Sequence, residues 1–450
     1  MNTPICDFVR TYADSHQLRL HMPGHKGTGA LGIEHLDITE IEGADVLYRA
    51  NGIIKESEAN ASGLFGTALT KYSTEGSSLS IRAMLYLAML YARSTGREPR
   101  ILAGRNAHHT FMTAAALLDL CVDWLYPEHW ESLVSCEITA GYLDRMLDHP
   151  SKPAAVYITS PDYLGNVADI AGLSAICHKH GVLLLVDNAH GAYLNFLPEN
   201  RHPIALGADI CCDSAHKTLP VLTGGGYLHI SRQAPELFCQ QAEKALSLFA
   251  STSPSYLIMQ SLDAANRYLS EGYTERLAVF VQAIDDLKQM LADHGFSLLG
   301  NEPLKITIAP KGFGYTGEDL AGILAARGIV CEFADPDFVV FMFTPEISKS
   351  ELEYLKQVLF EIPRTDAICQ KPPMLSKPEQ VCSIREALFA VSKEVTVQDS
   401  LGLTLASTRI SCPPAIPIVV CGEKIDEDAI RCLEYYGVEI CEIIDESSHI

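Results

Sequence analysis

Nowhere does this chain reach the roughly 20 uninterrupted apolar residues that a membrane-spanning helix needs, although hydrophobic residues fill 48% of its 450 positions. A globular protein without a membrane partner is expected. The opening residues Met1-Asn-Thr-Pro-Ile-Cys-Asp-Phe-Val-Arg10 lack a basic flank followed by a long apolar run, so no secretory or transit signal is read there and a cytoplasmic location is expected. Positive charge is scarce. Lys and Arg number 34 against 56 Asp and Glu, a formal net charge of −22. Nucleic acid is held by clustered Lys and Arg, so this balance excludes it as a partner and mildly favours a cationic small molecule. The 14 cysteines are scattered and form no Cys-x-x-Cys pair, so most read as small buried hydrophobes in a reducing compartment. His21 and His25 stand four apart, but Pro23 and Gly24 break any helix between them, and no metal is assigned. Internal repeats and low-complexity tracts are absent.

The first thirty residues read as a loop or arm ending in His21-Met-Pro-Gly-His-Lys-Gly-Thr-Gly29. From Ser78 to Tyr91 apolar residues recur at helical spacing directly after a Gly-Ser-Ser turn, which places a helix N-terminus there. The middle third alternates strand and helix. Ala154–Thr159 and Val182–Asp187 are buried strands, with a helix between them that closes at Gly181. That order implies an α/β fold with a mainly parallel sheet. Past residue 295 a smaller α+β unit begins. Strands are expected at Lys305–Ala309 and Ile329–Phe333, around a helix opened by the capping box Thr316-x-x-Asp319 and ended at Gly328. A second box, Ser348-x-x-Glu351, opens another helix, and the Pro-rich stretch 363–378 links to a final segment. Two domains are expected, 1–295 with the arm and major domain, and 296–450.

Four short stretches carry chemistry. In Ala208-Asp-Ile-Cys-Cys-Asp-Ser-Ala-His-Lys-Thr-Leu-Pro220 a strand-like run ends in Ser214, His216 and Lys217, with Gly224-Gly-Gly226 following. A lysine at a strand end, flanked by hydroxyl and imidazole and trailed by glycines, suits a Schiff-base amine beside a bound phosphate; alone, the same lysine is more often a surface residue. In Val186-Asp-Asn-Ala-His-Gly191 an apolar strand ends in Asp187, thirty residues before Lys217. A pyridoxal 5'-phosphate (PLP) site needs an acid there, because a protonated pyridine nitrogen makes the ring an electron sink. One crossover places both groups at the same carboxyl edge, where open α/β sheets bind ligands; the rival reading is that Asp187 merely caps a helix. Gly76, Ser77 and Ser78 begin the long helix and suit an anion such as the cofactor phosphate. His108, in Arg105-Asn-Ala-His-His-Thr110, is either a ring that stacks on the pyridine or a hydrogen-bonded core histidine.

The co-linear set His21-Met-Pro-Gly-His-Lys26, Asn106-Ala-His108, Asp187-Asn-Ala-His-Gly191, Ser214-Ala-His-Lys-Thr-Leu-Pro220, Ser251-Thr-Ser-Pro-Ser-Tyr256 and Pro413-Pro-Ala-Ile-Pro417 with Gly422-Glu423 resembles the ornithine/lysine/arginine decarboxylase family over nearly the whole chain. The resemblance implies a fold-type-I PLP enzyme with Lys217 as the Schiff-base lysine. It implies Asp187 on the pyridine nitrogen, Ala189 under the ring, His108 above it and His190 at the ring hydroxyl. Gly76, Ser77, Ser78, Ser214 and His216 would hold the phosphate, and Ser251, Thr252 and Ser253 would reach it from the neighbouring subunit of a homodimer. The resemblance is to the shorter biosynthetic branch, in which a chain is expected to open on the arm without the family's N-terminal wing domain. Two departures stand out, Gly43-Ala-Asp-Val-Leu-Tyr48 in place of an Asp-Asp-Leu-His-like run and Glu75 in the phosphate turn.

The implied reaction is loss of CO2 from a basic amino acid (lysine, arginine or ornithine) to give the amine, with Lys217 and His216 as candidate proton donors. Asp45, Glu75 and Glu423 are the carboxylates nearest the motifs for the substrate's distal cation. An aminotransferase or lyase would share Lys217 and Asp187, and a regulatory homologue would bind cofactor without turnover. The C-terminal Pro-Pro-Ala-Ile-Pro segment with Gly422-Glu423 favours the decarboxylase.

Overall fold

The computed structural model describes residues 1–128, 135–374, 376–408, 411–412 and 416–448, with backbone alone at 411, 412, 416 and 448. Two compact units emerge: one of residues 1–99, 147–157 and 170–278, the other of 100–146, 158–169 and 279–450. A seven-stranded sheet has the order β1-β7-β6-β5-β4-β2-β3, with β1 Leu69–Ser73, β2 Arg100–Gly104, β3 Cys121–Leu125, β4 Ala155–Thr159, β5 Leu183–Asp187, β6 Ile210–Asp213 and β7 Gly226–Ile230. It is mainly parallel. β5 pairs with β6 and β2 with β3 in parallel, whereas β7 runs antiparallel to both of its neighbours. The central strands are apolar on both faces, as a covered parallel sheet requires; Leu183 to Asp187 is buried throughout.

In the first unit α1 (Pro4–Asp14) and α2 (Ile53–Phe65) precede β1, and α3 (Gly76–Ser94) follows it. The α1 helix corrects the reading of the first thirty residues as an irregular arm, although residues 15–33 are indeed without regular structure. Pro4 sits in its first turn, Ile5, Cys6 and Val9 are buried, and the amides of Ile5 and Cys6 both donate to Asp263 Oδ2 at 3.0 Å. The cap comes from a residue far along the chain, so local sequence could not show it. α3 is buried on almost every side, with Leu79, Ile81, Met84, Leu85 and Leu87 in the core. Such all-round apolarity marks a helix embedded in a core rather than lying on one.

The second unit holds α4 (His109–Leu118), α5 (Ala140–Leu147) and a four-stranded antiparallel sheet ordered β10-β11-β9-β8, in which β8 is Ser297–Leu299, β9 Lys305–Ala309, β10 Phe333–Ala334 and β11 Val339–Met342. Both expected capping boxes form, at Thr316/Asp319 and Ser348/Glu351. The strand expected at Ile329–Phe333 shrinks to β10. Val330 is 89% exposed, and the residues after the left-handed Gly328 leave the ladder before Phe333 joins it. The final segment pairs Ser392–Thr396 with Ile440–Ile444 and packs Val397, Leu405, Ile418, Ile425, Leu433 and Ile443 into a core shared with Phe338 and Val340.

Candidate active site

Parallel pairing of β5 with β6 sets Asp187 beside Cys212 and brings both strand ends to one edge. Asp187 is the last residue of β5. Lys217 follows the end of β6 by four positions, in the single helical turn Ala215–Thr218. Asp187 is 2% exposed. Its Oδ2 accepts from the Tyr157 hydroxyl at 3.0 Å and its Oδ1 from the Ala189 amide at 3.2 Å and the Cys212 thiol at 3.6 Å. These partners are neutral. Burial pushes the carboxyl up from the usual range, and the charge of Lys217 opposes that shift. Lys217 is half-buried, and its Nζ lies 3.1 Å from His190 Nε2. Asp187, Ala189 and His190 thus stand on one turn, with His190 on Lys217.

The helix start at α3 lies against the same lysine segment. Gly76 has φ +65° and donates its amide to Gly224 O at 2.7 Å; Ser214 Oγ donates to Ser77 Oγ at 2.8 Å and accepts from Ser77 N at 3.4 Å. A Cβ on Gly76 would stand 3.5 Å from His216 Cε1, so Gly76, Ser77, Ser214 and His216 converge. Gly226 explains the trailing glycines. A Cβ there would meet Asp213 O at 2.9 Å and Gly76 C at 3.0 Å, so β7 approaches the helix start backbone to backbone. His216 donates from Nδ1 to Gly225 O at 2.9 Å, and burial holds its pKa below the ordinary value. Ser78 is half-buried in the first turn of α3.

His108 belongs to the second unit, where it caps α4: its Nδ1 accepts from the Thr110 amide at 3.2 Å. Three residues before it, the buried Arg105 pairs with the equally buried Glu423 at 2.8 Å and donates to the carbonyls of Pro417 and Ile418. Glu423 is therefore committed to an arginine of its own chain. Asp45 is likewise engaged, accepting from the amides of Val46, Asn51 and Gly52, and Glu75 Oε1 accepts from Ser251 N at 2.8 Å. Ser251, Thr252 and Ser253 are exposed, and Pro413 to Ala415 lie outside the described residues. Sequence reasoning missed Tyr157 and the Arg105 partner of Glu423. Tyr157 could have been found, because it sits inside the strand that leads to the same sheet edge; the pairing of residues 105 and 423 had no local signal.

The donor set fits PLP: a buried carboxylate with only neutral contacts can take a protonated ring nitrogen, and hydroxyls with helix-start amides can take a phosphate.

Comparison with known proteins agrees. The model of the Orn/Lys/Arg decarboxylase major domain matches residues 3–307. The chain is 29% identical to the uncharacterized protein YaaO of Bacillus subtilis (strain 168), over 96% of this chain and 94% of that protein. It is 28% identical to an arginine decarboxylase of Halalkalibacterium halodurans, over 94% and 91%. Its fold matches that of the Francisella novicida lysine decarboxylase LdcF with a TM-score of 0.80 at 18% identity, covering 98% of this chain and 81% of that one. The architecture is that of fold-type-I PLP enzymes, and with most of its length matched by the major domain, this chain belongs to the Orn/Lys/Arg decarboxylase family of amino-acid decarboxylases.

Proposed function

We propose that this protein removes CO2 from the α-carbon of a basic amino acid, with PLP held covalently by Lys217, and that arginine is the first substrate to try among arginine, lysine and ornithine. The observation that carries the reading is the parallel register that ends β5 at Asp187 beside β6, whose own end lies four residues before Lys217, with His190 on the lysine amine. Four relatives named arginine decarboxylase, each aligned with more than nine tenths of this chain, support the choice of arginine.

When bound, PLP supplies an electron sink for the pair of electrons left by the departing carboxylate. The chain supplies the rest. Asp187 Oδ would hold a proton on the ring nitrogen, Ala189 would support one face of the ring and His108 the other. Gly76, Ser77, Ser78, Ser214 and His216 would bind the phosphate. His216 Nδ1 already donates to Gly225 O, so a neutral ring presents Nε2 as an acceptor. A phosphate dianion beside it would favour the charged, donating form. Lys217 Nζ, with His190 Nε2 at 3.1 Å to take or return a proton, is the better-placed donor to the substrate's α-carbon. By resemblance to the family, the exposed Ser251–Ser253 segment would reach the partner's phosphate site in a homodimer.

Purified, PLP-loaded protein assayed with arginine, lysine and ornithine for CO2 and amine tests the reading. Release of the corresponding amine from one of them supports it. Preferential turnover of an acidic or aromatic amino acid, or keto-acid formation without CO2, overturns it.

A further inference from the structure

β6, the strand that leads to Lys217, ends in a second buried carboxylate that the reaction above does not use. Side chains alternate across a sheet, and the register that sets Asp187 beside Cys212 on one face puts Asn188 and Asp213 on the other. Asp213 is fully buried, and its three side-chain hydrogen-bond partners are all donors. Asn188 Nδ2 donates to Oδ1 at 2.7 Å, while His202 Nε2 and His229 Nε2 meet Oδ2 at 3.1 and 3.2 Å. A carboxylate only accepts, so both Nε2 atoms carry the hydrogen; this agrees with His202 Nδ1 accepting from Ile204 N at 3.4 Å, while His229 Nδ1 lies 2.9 Å from Thr70 Oγ1. Phe65 and Tyr227 pack on His229 at 4.4 and 5.2 Å between centroids, so aromatic rings wall one side of the cluster.

Asn188 is the link to the site. It too is fully buried, and it is the second residue of the Asp187-Asn-Ala-His-Gly191 turn. An anion at Asp213 forces its NH2 group, not its carbonyl, toward Oδ1; Asn188 Oδ1 then lies over Gly191, where any Cβ would overlap it. This accounts for Gly191 in the motif. One carboxylate behind the sheet therefore fixes the turn that presents Asp187, Ala189 and His190 on the front.

We propose that Asp213 is a positioning residue, anchored by His202 and His229, which through Asn188 sets the placement of Asp187 and His190 for the cofactor. The proposal rests on the PLP reading above. The competing reading of the cluster is a metal site, since His202, Cys211 and Asp213 offer atoms all within 4.8 Å of one another. Against a metal, each imidazole and each carboxylate oxygen already has a hydrogen-bond partner, and Cys211 Sγ stands 4.0 Å from His202 Nε2.

The test is a double-mutant cycle with Asn188→Ala and Asp213→Asn, read by PLP affinity, by the absorption band of the bound cofactor and by separate kcat and KM. Asn188→Ala should weaken PLP binding and lower kcat about tenfold or more, and shift the cofactor band, with KM nearly unchanged, because small misplacements of aligned groups are costly. Asp213→Asn should add little on the Asn188→Ala background, since both act through one contact. If either fails to fold, His202→Ala should reproduce the loss and His202→Gln, which keeps an N–H donor, should restore most of it. Additive effects, or Asn188→Ala with wild-type PLP affinity, spectrum and kcat, would overturn the proposal. So would one equivalent of zinc in the purified protein. A wild-type protein that binds no PLP refutes the functional reading instead.

Discussion

Asp187→Asn separates the fold's need for this residue from the chemistry's. The amide is isosteric. Its oxygen can keep the Ala189 amide at 3.2 Å, and the Tyr157 hydroxyl, now 3.0 Å from Oδ2, can turn to accept from the new NH2 group. Little packing is lost. What disappears is the negative charge that holds a proton on the ring nitrogen, a charge-assisted contact in a dry site. Its loss should cost about 3–4 kcal/mol of transition-state stabilisation, roughly a hundred- to thousandfold in kcat. The protein without cofactor should respond the opposite way. Burial raises the folded pKa of Asp187, so its favourable contribution is present at pH below the unfolded value and is lost as pH rises through the folded one. Cofactor-free Asp187→Asn should therefore match or exceed the wild type in urea midpoint at neutral pH, and the gap should close toward acid. Steady-state CO2 release, with parallel urea titrations of loaded and cofactor-free protein, checks both halves. A kcat within about threefold of wild type would refute the pyridine role and leave Asp187 a strand-end residue.

Lys217→Ala should bind PLP without any borohydride-reducible adduct and should lose turnover; an adduct that persists would move the covalent attachment to another lysine. Glu423→Ala should lower stability by about 3–5 kcal/mol, seen as a fall in urea midpoint, because Arg105 would keep a buried charge without its partner. Gly226→Ala should cost about 1–3 kcal/mol, since the new methyl meets backbone atoms of Asp213 and Gly76 that cannot swing aside, and it should weaken PLP binding by pushing β7 off the helix start.

Much of the site was legible because its parts are local. A run such as Val182–Asp187 followed one crossover later by Ile210–Asp213 can pair in few ways, and parallel pairing brings Asp187 and the Lys217 segment to one edge. Capping boxes at Thr316 and Ser348 depend on residues three apart, so they too could be read directly.

What only the tertiary structure decided is where distant side chains are consumed. Glu423 and Asp45 look available for a cationic substrate in the sequence, yet Arg105 takes one and the amides of Val46, Asn51 and Gly52 take the other. The first helix was hidden for the same reason, because its cap is Asp263. His202 lies in an irregular stretch that predicts nothing about Asp213, and the two meet only when the chain returns to the sheet. Periodicity and turn chemistry are set by neighbours along the chain. The pairing of buried charges is set by which groups the folded core leaves without water.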